Sequence, residues 1–100
     1  MSESVVVLSV VFEAAAGRAD DLGGMLKKLV APTRAEPGCL TYELNTSIET
    51  PGTFLFFEKF VNQAALDEHI AAPYFKEFAR QREGNDPISK VTVTRWSVLA

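Results

Sequence analysis

The sequence has few of the residues that usually announce chemistry or location. It holds one cysteine, Cys39, and one histidine, His69. A single thiol closes no internal disulfide, and no Cys/His cluster offers metal-ligand spacing, so no metal site is expected. A lone free thiol also suits a reducing, cytoplasmic compartment. No apolar run approaches the roughly 20 residues that cross a bilayer. The opening stretch MSESVVVLSVVF lacks a basic n-region and reads as a strand rather than a signal peptide. Gly17, Gly38, Gly52 and Gly84 stand at separate turns, which leaves no Gly-rich loop for a nucleotide or flavin phosphate. Positive charge is short as well: ten basic residues face thirteen acidic ones, for a net −3. Neither a nucleic acid nor an anionic membrane surface is an expected partner.

What remains is an ordinary globular balance, 47% hydrophobic and 23% charged, enough for one domain over residues 1–100. Val5 to Phe12 is β-branched and apolar on both parities, as a strand covered on both faces must be. From Arg18 to about Glu36, Leu22, Met25, Leu26, Leu29 and Val30 follow helical spacing, with Pro32 expected to kink the last turns. Cys39 to Thr46 alternates, placing Leu40, Tyr42 and Leu44 opposite Thr41, Glu43 and Asn45. Pro51-Gly52 punctuates a hairpin to Phe54–Phe60, again apolar on both parities. Asn62 is a candidate N-cap for a helix through Ile70, and Pro73 opens another to about Glu83. Ile88 to Val98 alternates as the last strand. The order β-α-β-β-α-α-β predicts an α+β, ferredoxin-like split βαβ with a four-stranded antiparallel sheet and helices on one face. Right-handed crossovers put the strands in order four, one, three, two. The two strands apolar on both parities are then central. The face away from the helices would carry half of their apolar residues, and a homodimer through that face is the simplest cover.

TRAEPGCLTYEL, FLFFEKF and ALDEHIAAPYFKEF together resemble the antibiotic biosynthesis monooxygenase family, also called quinol monooxygenase-like, of the dimeric α/β-barrel superfamily. The resemblance implies a homodimer and a pocket in each subunit between sheet and helices. It also implies an activity such as cofactor-free oxygenation of a phenol or quinol. A related branch opens haem with an Asn on the first strand and a Trp and a His in the helical region. Here the first strand has no Asn, and those two positions resemble His69 and Ala79, which disfavours haem chemistry.

Two candidate catalytic residues follow. His69 can accept a proton from a phenol or enol near neutral pH, or it packs with both nitrogens on backbone groups. Glu58 lies within an apolar strand; it either assists His69 or is paired with Arg80, Arg82 or Arg95. Tyr42, Asn45, Tyr74, Phe75 and Trp96 are candidate substrate-binding residues, with core packing or turn formation as their plainer roles. Cys39 reads as a small buried residue. The leading expectation is a cofactor-independent monooxygenase acting on a small phenolic or quinol-type, apolar or aromatic molecule. Alternatives are an isomerase or signal-molecule-degrading enzyme on the same scaffold, and a non-catalytic small-molecule-binding or stress-response dimer.

Overall fold

A computed structural model describes residues 4–100. Its elements are β1 (Val6–Ala14), α1 (Ala19–Lys27), α2 (Val30–Arg34), β2 (Cys39–Thr46), β3 (Thr53–Phe60), α3 (Gln63–Ile70), α4 (Pro73–Arg82) and β4 (Ile88–Trp96). The four strands form one antiparallel sheet in the order β2-β3-β1-β4. This is the predicted ferredoxin-like topology, with β1 and β3 central. Gly52 takes φ 87 in the β2–β3 turn, where a side chain would be strained.

Register sorts the sheet into two faces. Val6, Leu8, Val10 and Phe12 of β1 share one face with Phe54, Phe56, Glu58 and Phe60 of β3. Leu22 and Leu26 of α1, Leu66 of α3 and Phe78 of α4 are buried in the same core, with Leu29 just before α2. Val7, Ser9 and Val11 of β1 occupy the outer face with Leu55, Phe57 and Lys59 of β3.

The structure revises two local expectations. The kinked helix is two helices, parted at Lys28–Leu29 rather than at Pro32. Proline has no N–H, and its ring crowds the carbonyl four residues earlier, here that of Lys28. The chain tightens there, and Leu29 N–H donates to Leu26 O at 3.1 Å. Leu40 does not share a side with Tyr42 and Leu44. The β2–β3 register shifts between Cys39 and Thr41, so Leu40 is the extra residue of a bulge and is 55% exposed.

Candidate active site

Between the inner face of the sheet and helices α3 and α4 lies a cavity of about 320 Å³. Its walls are apolar, built from Leu8, Val10, Phe56, Phe75 and Phe78 among others, and its polar groups are Tyr42, Glu58, His69, Arg82 and Arg95. It opens toward edge strand β4, where Val93 is 60% exposed although it lies on the inner side of the sheet.

Asn62 caps α3, accepting the Ala65 N–H at 2.9 Å, and so fixes the start of the helix that carries His69. The imidazole is 2% exposed. Phe60, Tyr42 and Phe75 surround it, with ring centroids 5.2, 5.4 and 5.1 Å away. Its Nδ1 lies 3.0 Å from Oε2 of Glu36. The phenol of Tyr74 donates to that same oxygen. With Glu36 ionised, Nδ1 carries the proton and Nε2 is the nitrogen left to accept one. The backbone-bonded histidine considered above is thus replaced by a carboxylate-oriented one.

Glu36 is the member of this cluster that sequence reasoning missed. It follows α2, just before Pro37-Gly38, and it is distant in sequence from both of its partners. Its only local signal was its place in the AEPGC stretch.

Glu58 is 5% exposed. The expected ion pair with Arg80, Arg82 or Arg95 does not form. Arg80 is bound to Glu77, Arg82 to Asp86, and Arg95 donates to Gln63. Among the described residues Glu58 has neither a hydrogen bond nor an ion pair. Burial, with the charge of Glu36 added, pushes its carboxyl up to about 7. Glu58 therefore keeps its proton to higher pH than an ordinary carboxyl does.

Tyr42 lines the cavity, stacked on Phe56 at 4.5 Å, and burial followed by the charge of Glu58 pushes its phenol upward. Phe75 also reaches the cavity. Tyr74 does not line it and meets His69 only through Glu36. Asn45 and Trp96 are not in the cavity at all. Both sit on the outer-face parity, where Asn45 donates to Leu55 O at 3.3 Å and Trp96 Nε1 to Ser9 Oγ at 2.8 Å. Four of the seven expected residues, namely His69, Glu58, Tyr42 and Phe75, thus share one cavity. Cys39 is only half-buried, and its thiol is pushed upward by burial and then by Glu36 and Glu58, which disfavours the thiolate a nucleophile needs. Among the described residues no group of three His, Cys, Asp or Glu side chains could hold a metal ion, and no helix is long and apolar enough to cross a membrane.

The sequence model of the antibiotic biosynthesis monooxygenase family matches residues 5–81. The crystal structure of PA3566 from Pseudomonas aeruginosa is similar at TM-score 0.92 and 32% identity, over 100% of this chain and 99% of that one. The structure of Rv0793 from Mycobacterium tuberculosis is similar at TM-score 0.85 and 31% identity, covering 97% of each. In sequence, 60 residues are 37% identical to Rv0793, whose name proposes a monooxygenase; that stretch is 60% of this chain and 58% of Rv0793. A further 52 residues' match, 44% identical, is to the uncharacterised protein sll1783 of Synechocystis; it takes 52% of this chain and 35% of the relative. The chain thus spans between a third and three-fifths of the curated relatives it matches.

Proposed function

Because this chain belongs to the antibiotic biosynthesis monooxygenase family, we propose that it oxidises a small phenolic or quinol-type molecule with dioxygen and without a resident cofactor. The observation that carries this reading is His69: buried, held through Nδ1 by Glu36, and set in the wall of an apolar cavity. Nε2 accepts the phenol proton. The electron-rich anion then reduces oxygen, and a bond forms between a ring carbon and one oxygen atom. His69 returns its proton to the outer oxygen, giving a ring hydroperoxide, whose ring C–H and O–O bonds then break as the carbonyl forms and water leaves. The balance is phenol plus O₂ to quinone plus water, and the substrate supplies every electron. Glu58 in its protonated form donates a hydrogen bond to a substrate oxygen, and the apolar walls keep bulk water from the anion.

The test is oxygen uptake by the purified protein with a panel of small phenols and dihydroxyarenes. Anaerobic incubation is expected to stop turnover, and His69→Asn to lower it by about 100-fold or more, the usual scale of general-base catalysis. Turnover that persists without oxygen would instead favour an isomerase. Glu58 supports that second reading, because a carboxyl poised near 7 in the same cavity as His69 could move a proton between two carbons. We also propose that two copies associate through the outer face of the sheet.

A further inference from the structure

The cavity has an inner polar end and a charged mouth. Its inner end holds Tyr42, Glu58 and His69, while Arg82 and Arg95 reach it from α4 and β4. Arg82 is already neutralised, its Nε 3.1 Å and Nη2 3.0 Å from the two carboxylate oxygens of Asp86. Arg95 is not. Its Nη2 donates at 2.7 Å to the neutral carbonyl oxygen of Gln63, and it forms no ion pair among the described residues. Nor is its charge spent on Glu58, whose upward shift comes from burial and Glu36 with no opposing pull from Arg95.

Register fixes how these groups face one another. Arg95, Leu8, Glu58 and Tyr42 form one cross-strand row on the inner face, and all four line the cavity. Neighbouring strands lie about 4.8 Å apart, so the backbone positions of Arg95 and Glu58 are separated by roughly 10 Å. The wall between them is hydrocarbon. A molecule that spans it meets a polar end suited to a phenolic oxygen, then an apolar middle, then an unspent planar cation at the lip.

We propose, building on the reading of this cavity as a phenol site, that its ligand is an amphiphilic anion: a ring-bearing apolar body with a carboxylate held by Arg95. A guanidinium fork matches a carboxylate bidentately. Arg95 is exposed, so it gives up little hydration to bind one, and the acid stays partly wet while the ring enters. The protein as a whole carries net −3, so attraction for an anion must come from this local charge.

The test uses two probe pairs, 4-hydroxycinnamate with its primary amide and 6-hydroxy-2-naphthoate with its primary amide. Calorimetric titration in anaerobic buffer separates binding from turnover. The carboxylate of at least one pair is expected to bind about tenfold or more tighter than its amide, the scale of a charge-assisted hydrogen bond. Arg95→Gln should erase that gap, and Arg95→Lys should keep part of it. Gln63→Glu should shrink it by giving Arg95 a resident carboxylate. Equal affinity within both pairs, no binding of any probe, or a gap that survives Arg95→Gln would overturn the proposal. Charge-selective binding without oxygen uptake removes the oxygenase reading alone, whereas oxygen uptake without charge preference removes this one alone.

Discussion

Burial and charge act in the same direction on Glu58. The unfolded carboxyl titrates at its ordinary 4.5, and the folded one at about 7. Between those values the native chain keeps a proton that the unfolded chain has released, so stability falls as pH rises through that window. The stabilisation is complete below the unfolded value and is lost above the folded one, by up to about 3 kcal/mol. Urea unfolding from pH 5 to 8 should show the decline, and Glu58→Gln should flatten it; an unchanged slope in the variant contradicts this account. Sequence reading could pick out Glu58 because a carboxylate amid FLFFEKF is conspicuous. It could not see that Arg80, Arg82 and Arg95 each have nearer partners, since those partnerships depend on helix ends and on Gln63. His69 was legible as the one imidazole, beside an inward helix face. Glu36 was not, because nothing local joins it to a histidine 33 positions away.

Gly38 is where the elements around His69 meet. A Cβ placed there would stand 2.4 Å from that of Ala65, an atom anchored to the α3 backbone. Gly38→Ala therefore pushes α3 away from the start of β2 and lengthens the His69–Glu36 contact. Its expected cost is about 1–3 kcal/mol by urea midpoint, together with reduced turnover. Gly24→Ala is the control: open space surrounds that position in α1, and the change should stabilise by up to about 1 kcal/mol. A harmless Gly38→Ala would mean that the close approach is not needed. Helix faces were readable from spacing, since Leu22, Leu26 and Leu29 all point inward. The break between α1 and α2 was not, because the apolar stripe runs straight across it and Pro32 acts one turn upstream. The same limit hid the bulge at Leu40, where a single extra residue reverses the parity that alternation relies on.

Strand order is the part of the molecule that the sequence carried most fully. Two strands apolar on both parities had to be central, and β1 and β3 are. The helices then cover the inner face of the sheet and leave Val11, Leu55 and Phe57 half-buried on the outer one, with Trp96 57% exposed at its edge. The proposed pairing through this face predicts a dimer in sedimentation at micromolar concentration and a single protomer for Phe57→Glu; a monomeric parent protein would rule the pairing out. The cavity itself was only implied by resemblance, because its volume depends on how far α3 and α4 stand off the β4 edge. Whether that cavity does oxygen chemistry is settled most directly by isotope. Turnover of an accepted phenol under ¹⁸O₂ should leave one labelled atom in the quinone and the other in water. A product whose new oxygen comes from solvent, or one formed equally well without O₂, would contradict the account.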